Sequence, residues 1–309
     1  MKSVKAFAPA TVANVCCGFD ILGFAVNQPG DEVILTLRDD ELVRMVSVKG
    51  DGGKLPLEAE RNTAGVAVIS YLRSLGVKQG VDIELIKNLP LGSGMGSSAA
   101  SGAAALVGIN ELLGNPLSRE QLVIHAMEAE RVACGSAHAD NVAPSLMGGF
   151  VLVREYNPLD VIKINATDDL YCSLVHPHLE LKTEDSRKVL RQSVSLKDTI
   201  AQSGNVAGLM IGLTKPDYAL IGRSLKDVIA EPIRSAFIPG FDAMRQTAVE
   251  AGALGFGISG SGPTVFALSE TMEKAHAAAK AIQREFEKHR LKSDLFVSKV
   301  NQRGAYIID

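Results

Sequence analysis

Apolar and polar residues alternate along DEVILTL (31–37), RMVSVKG (44–50) and VDIELIKN (81–88), the period of two shown by half-buried antiparallel strands. Between the last two, NTAGVAVISYLRSLG carries apolar residues at helical spacing, with Asn62 placed to cap its start and Gly76 to stop it. Residues 97–113 continue as a helix ending at Gly114. SREQLVIHAMEAERVA opens on Ser118 and Gln121, a capping box that predicts another helix. GGFVLVRE and LYCSLVH read as strands, SRKVLRQSV and LKDTIAQ as short helices, and FDAMRQTAVEAG as a helix stopped at Gly252. ALGFGISGSGPTVFALS reads as strand, glycine turn and strand, TMEKAHAAAKAIQREFEKHR as a long amphipathic helix, and SDLFVSKV as a last strand. Strands and helices interleave in both halves with no long linker, low-complexity tract or short-period repeat. That order predicts an α+β protein of two sheet-and-helix halves joined near residues 150–175.

Composition narrows the function classes. A net charge of −3 leaves no basic footprint, which argues against nucleic acid or a polybasic membrane contact as the main partner. Aromatics make up 5% and Trp is absent, so small aliphatic residues carry the core. No apolar run reaches the length of a membrane span, and Pro9, Asn14 and Asp20 interrupt the N-terminus too early for a signal peptide, so a cytoplasmic location is expected. Cys16, Cys17, Cys134 and Cys172 form no C-x-x-C pair and read as buried reduced thiols. Cys172, His176 and His178 match no usual zinc spacing.

The stretch LPLGSGMGSSAASGAAALVGINELLG, residues 89–114, sets glycines directly against the start of a helix. Gly92, Gly94 and Gly96 remove side chains where backbone N–H groups would otherwise be shielded, and a helix starting near Ser97 adds unpaired N–H groups and the positive end of its dipole. The product is an anion pocket suited to a di- or triphosphate. Neither the Walker nor the dinucleotide glycine spacing is met, so a tight strand-to-helix turn with small-residue packing stays open on spacing alone. Ser97 and Ser98 offer one hydroxyl to cap the helix and one to face a phosphate-bound Mg²⁺.

At these residues a family becomes recognisable. PLGSGMGSSAA closely resembles the phosphate-binding motif of the GHMP kinases, APATVANVCCGFDILGFAV resembles their first motif, and GALGFGISGSGPTVFAL their third. The resemblance spans nearly the whole chain. It implies a two-lobed α+β fold, with a ribosomal-protein-S5-like N-terminal lobe over 1–155 and a ferredoxin-like C-terminal lobe over 156–309. It also implies that ATP is held at Pro90, Leu91, Gly92, Ser93, Gly94, Met95, Gly96, Ser97, Ser98, Ala99 and Ala100, with Asn62 as the polar candidate for the adenine pocket.

Within that superfamily, ANVCCGFDILG and EAERVACGSAHADNVAPSLMGG resemble the homoserine kinases, with departures at Cys16, Cys17 and Cys134 where small residues are usual. The resemblance implies Ser98 and Glu130 as Mg²⁺ ligands. Asn141 would orient the substrate hydroxyl, and Asp140 would be either a base or a structural residue. His138, Asn14 and Asp20 would lie at the amino acid, Asp20 meeting its ammonium. Thr183, Arg187 and Arg234 would bind its carboxylate, and Gly260 in the third motif would approach the substrate. Lys87 could lie near the phosphates. The implied reaction transfers the ATP γ-phosphoryl group to L-homoserine, giving O-phospho-L-homoserine for threonine biosynthesis. The alternatives are a relative acting on a mevalonate-type acid or sugar, and a non-catalytic ATP-binding regulator. A homodimer is open. Without the resemblance, Glu130 reads as a solvated partner of Arg131 or Arg119, and the two arginines as surface cations.

Overall fold

The computed structural model describes residues 2–308 apart from 136 and 180–182, and of 133, 134 and 183–185 the backbone alone. The chain runs β1 (Ser3–Ala13), β2 (Leu22–Arg38), β3 (Val43–Lys49), α1 (Thr63–Leu75), β4 (Gly80–Ile86), α2 (Ser97–Leu112), α3 (Arg119–Cys134), α4 (Ala139–Met147), β5 (Phe150–Tyr156) and β6 (Leu159–Ile164). It continues as β7 (Tyr171–Pro177), α5 (Thr183–Lys188), α6 (Leu196–Thr214), α7 (Tyr218–Ser224), α8 (Glu231–Arg234), α9 (Phe241–Glu250), β8 (Gly255–Ile258), β9 (Val265–Ser269), α10 (Met272–Lys288), β10 (Ser293–Lys299) and β11 (Tyr306–Ile308).

Two sheets result. One orders its strands β11-β1-β2-β4-β3, with β5 pairing the start of β2 and then β6; the other runs β10-β7-β9-β8. The expected lobe boundary at 155/156 falls inside the β5–β6 hairpin. The sheets part instead between Ile164 and Tyr171, and β11 returns the end of the chain to the first sheet beside β1. Phe24 ties the two sheets together, its ring 4.7 Å from Phe150 in the first and 6.0 Å from Phe266 in the second, within one continuous buried cluster. A second cluster, with Phe241, Met244, Phe256, Ile282 and Phe286, fills the space beneath α9 and α10. Among the described residues no helix is long and apolar enough to cross a membrane.

Local signals placed most elements. Asn62 caps α1 by accepting from the Ala64 N–H, Gly76 ends it in the left-handed region, and the Ser118–Gln121 capping box is fully formed. Four expectations change. β3 runs parallel to β4, not antiparallel, because α1 carries the chain back across the sheet between them; alternation reports which face is buried, not strand direction. β1 and β6 were not marked by alternation: the inner end of β1 is buried on both faces, and β6 is half-exposed without a clean period. α6 runs past the expected end at Gln202 to Thr214: Gly204 lies inside the helix without breaking it, and Gly208 and Gly212 let it pack closely on α7, where a Cβ would strike Ser224 and Ile221. α5 starts at Thr183 and ends at Lys188, three residues into the segment 186–194 expected to be helical, and the rest of that segment is turn and irregular chain.

Candidate active site

The glycine stretch sits where β1, the start of α2 and the β8–β9 turn meet. Gly92, Gly94 and Gly96 all take positive φ, at 64°, 81° and 65°. A Cβ on Gly94 would run into the Ser259 and Gly262 carbonyls, so the two glycine loops approach at a distance only glycine permits. Hydrogen bonds lock the contact: Ser259 Oγ donates to Gly94 O at 2.8 Å, the Thr264 N–H to Ser93 O at 3.2 Å, and on the other side the Thr11 N–H to Met95 O at 3.1 Å. Gly96 is the N-cap of α2 and no side chain caps the helix, which leaves its first-turn N–H groups for an anion. The capping role expected of Ser97 or Ser98 is therefore not taken up. Ser97 instead donates to Leu89 O at 3.3 Å, closing the loop on itself, and Ser98 is half-buried on the first turn.

Beneath this loop lies a buried ion pair. Lys87 and Asp31 are in direct contact, with side chains 1% and 0% exposed. Lys87 Nζ also donates to Ser97 O at 2.7 Å and Ser101 Oγ at 3.0 Å, while Asp31 accepts from the Asn88 and Leu89 N–H groups at 2.9 and 3.0 Å. Lys87 is thus placed under the helix start as its brace, and its ammonium is spent there rather than offered to phosphates. Asn62 is likewise spent: its carboxamide caps α1 and donates to Pro56 O at 3.0 Å, so its geometry supports a structural role and not the expected adenine contact.

The other end of the site is made of charged side chains on a strained loop. Asn14, Val15, Cys16 and Asp20 between β1 and β2 all have positive φ without being glycine. Asn14 holds the loop's shape, donating to Gly260 O at 2.8 Å and accepting from the Asp20 N–H at 3.0 Å. Gln202 of α6 donates to Cys17 O at 2.8 Å and Tyr156 of β5 to Asp20 O at 2.8 Å. Arg187 meets Asp20 through both guanidinium nitrogens, at 3.0 and 2.7 Å. Arg234 is buried, donating to Gly260 O at 3.1 Å and Ser186 O at 3.3 Å. The two guanidiniums lie 5.5 and 5.2 Å from the ring of Phe19, which is a platform for both. The Thr183 side chain lies outside the described residues, as does that of Cys134; Cys16, Cys17 and Cys172 are buried free thiols.

α4 spans the gap between these ends. Asn141 on its first turn accepts from Thr11 Oγ1 at 2.7 Å, and a Cβ on Gly96 would meet both groups, so the carboxamide stands over the N-cap of α2. Asp140 is 3% exposed, with Oδ1 lacking a hydrogen-bond partner among the described residues; burial, then the charges of Asp20 and Glu130, push its carboxyl up to about 7. Burial holds His138 below its ordinary value, a neutral imidazole at the head of α4. Glu130 is 7% exposed on α3, and the surface pairings considered for it fall away: Arg131 bonds Glu128 at 2.9 Å and Arg119 reaches Leu146 O. A buried carboxylate on α3 and a hydroxyl on the first turn of α2 are hard oxygen donors of the kind Mg²⁺ takes alongside phosphate, so the donor set fits that ion.

Phe19, Thr11, Tyr156 and Asp31 were not anticipated. Each acts through a partner distant in sequence, and no local pattern marks it.

A backbone anion cradle and a group of charged side chains lie on either side of an asparagine-bearing helix, and known proteins give the class. Residues 62–149 match the GHMP kinases N terminal domain and residues 209–288 the GHMP kinases C terminal domain. The chain is 54% identical to a homoserine kinase of Chlorobium phaeovibrioides, covering 100% of both, and 42% identical to one of Xylella fastidiosa over 98% of this chain and 94% of that one. The crystal structure of homoserine kinase from Cytophaga hutchinsonii superposes with a TM-score of 0.97 at 54% identity, over 100% of this chain and 98% of that one. The L. major mevalonate kinase in complex with R-mevalonate, at 17% identity and a TM-score of 0.70 over 97% and 96%, shares the fold. The chain belongs to the GHMP kinase family, among its homoserine kinases.

Proposed function

We propose that the chain is an ATP:L-homoserine O-phosphotransferase, forming O-phospho-L-homoserine and ADP on the threonine branch. The observation that carries the reading is the placement of Asp20, Arg187 and Arg234, charges of both signs, beside the anion cradle: Arg234 donates to the carbonyl of Gly260, which itself packs against Gly94 of the cradle. A zwitterionic amino acid needs both signs, and a mevalonate-type acid or a sugar carries no ammonium for Asp20 to meet.

In this reading the N–H groups of the 92–98 loop and the first turn of α2 hold the phosphates. Asp20 and Arg187 pair with each other in the structure, so in this reading the amino acid exchanges into that pair: Arg187 and Arg234 take the homoserine carboxylate, Asp20 the ammonium, and the side-chain hydroxyl is turned toward Asn141 and the α2 N-terminus. The hydroxyl oxygen forms a bond to the γ-phosphorus as the bond to the ADP oxygen breaks, and the hydroxyl proton passes to the transferred phosphoryl group. Asp140 is a structural neighbour in this scheme and not an obligatory base, because the hydroxyl proton passes to the phosphoryl group. Ser98 and Glu130 would hold Mg²⁺, which supplies charge neutralisation on the phosphates when bound. The rate then rests on positioning and electrostatics, the usual demand of phosphoryl transfer.

A coupled ADP-release assay over homoserine, mevalonate, shikimate and galactose tests the reading. Turnover confined to homoserine is expected. A preference for mevalonate would move the chain to another branch, and ATP binding without turnover of any would make it a regulator.

A further inference from the structure

Thr11 sits at the inner end of β1, immediately after the register with β2 shifts: between the pairs Pro9–Gly30 and Thr11–Ala25, β1 has one residue and β2 four, so β2 bulges away while β1 runs on toward α2. Here the hydroxyl reaches the N-cap of α2, where a Cβ on Gly96 would collide with it. Thr11 is fully buried, and its hydroxyl donates to Asn141 Oδ1 at 2.7 Å. Its N–H is engaged with Met95 O.

A carboxamide is planar, with an acceptor at one end and two donors at the other. Fixing the oxygen on Thr11 turns the NH₂ the opposite way and removes the rotation that would exchange the two ends. We infer that Thr11 is a positioning residue that sets the polarity of Asn141: the carboxamide oxygen is held at Thr11 beside Gly96, and the N–H donors are turned away from the α2 N-cap, toward the substrate hydroxyl. Asn141 then steers the nucleophile by donating to a lone pair of the substrate hydroxyl, and does not accept the hydroxyl proton. This rests on the reading of Asn141 as the hydroxyl-orienting group.

The test compares Thr11→Val, Thr11→Ser, Asn141→Ala and the Thr11→Val/Asn141→Ala double variant, measuring kcat, both KM values and Tm. Thr11→Val keeps the β-branched shape and deletes the donor. It should lower kcat by about tenfold to hundredfold while both KM values stay within about twofold. Thr11→Ser, which restores the hydroxyl, should recover most of that loss. The double variant should be no slower than Asn141→Ala, because the hydroxyl acts only through the carboxamide. If valine does not fold at this buried position, Thr11→Ala against Thr11→Ser makes the same comparison of hydroxyl absent with hydroxyl present. Wild-type kcat in Thr11→Val with a slow Asn141→Ala would overturn the inference alone. Losses that multiply in the double variant would also overturn it, placing the effect of Thr11 in the loop through Met95. Wild-type turnover in Asn141→Ala would instead remove the underlying reading of that residue, and the inference with it.

Discussion

Around the N-terminus of α2 the anion cradle is built from the main chain of residues 92–98, whereas around residues 14–20 the groups are the side chains of Asp20, Arg187 and Arg234. The first region is shaped by space: Gly94 and Gly96 are where other backbone or side chains leave no room for a Cβ, and a buried Asp31–Lys87 pair holds the helix start from below. The second is shaped by charge: two guanidiniums share the Phe19 ring, and the loop that carries Asp20 is kept in a strained conformation by Asn14, Gln202 and Tyr156. A cradle made of backbone binds any phosphate chain of the right shape. A pocket made of side chains chooses which alcohol comes beside it. Substitutions should therefore separate cleanly, with steric changes felt by ATP and charge changes felt by the amino acid.

The sharpest break of that separation is Gly96→Ala. The new Cβ would strike the Thr11 hydroxyl in a backbone region that disfavours alanine, a strain of about 1–3 kcal/mol before any displacement of Asn141 is counted. Steady-state kinetics should show kcat/KM for ATP lower by about a hundredfold. An alanine variant with wild-type ATP kinetics would mean that the cradle is not where the phosphates sit.

A smaller effect tests the electrostatics of the region between the two ends. The Asp140 carboxyl keeps its proton up to about pH 7 in the folded chain, whereas in the unfolded chain it ionises near its ordinary value of 3.8. Between those values the folded state binds more protons than the unfolded one, so the wild-type chain loses stability as pH rises through this window; below it both states are protonated and nothing is lost. Asp140→Asn has no proton to lose. Its Tm relative to wild type should be flat below pH 4 and climb to a plateau above pH 7, by about 2–4 °C for each kcal/mol relieved. A difference that does not change with pH would place Asp140 in a less buried or better compensated setting.

How much of this was legible in the sequence follows from the same contrast. Gly92, Gly94 and Gly96 ahead of a helix state their own requirement, since a missing Cβ and a helix start are local facts, and the anion pocket could be read from them directly. Asp20 and Arg187 stand 167 positions apart, so their pairing has no local signature; they were named only because the surrounding motifs resemble a family. Thr11 and Phe19 escaped even that. A threonine in a buried strand and a phenylalanine beside a loop look like packing until the Asn141 carboxamide and the two guanidiniums give them partners. Lys87 was seen but misplaced, because its position before the loop says nothing about whether it points up at the phosphates or down at Asp31. The direction of β3 was misread for a similar reason: period two fixes the faces of a strand and leaves its neighbour's direction to the crossover.

The claim that charge at the 14–20 end selects the amino acid is tested most directly by kcat/KM for L-homoserine and for the amino alcohol lacking its carboxylate, measured with wild type, Arg187→Leu and Arg234→Leu. Removing one partner of a half-buried or buried anion typically costs about 2–5 kcal/mol. Each variant should therefore lose roughly tenfold to a thousandfold for homoserine, mostly in KM, with KM for ATP unchanged and little further loss for the amino alcohol. Equal losses for the two substrates would contradict the account and assign these arginines to the phosphates or to the fold.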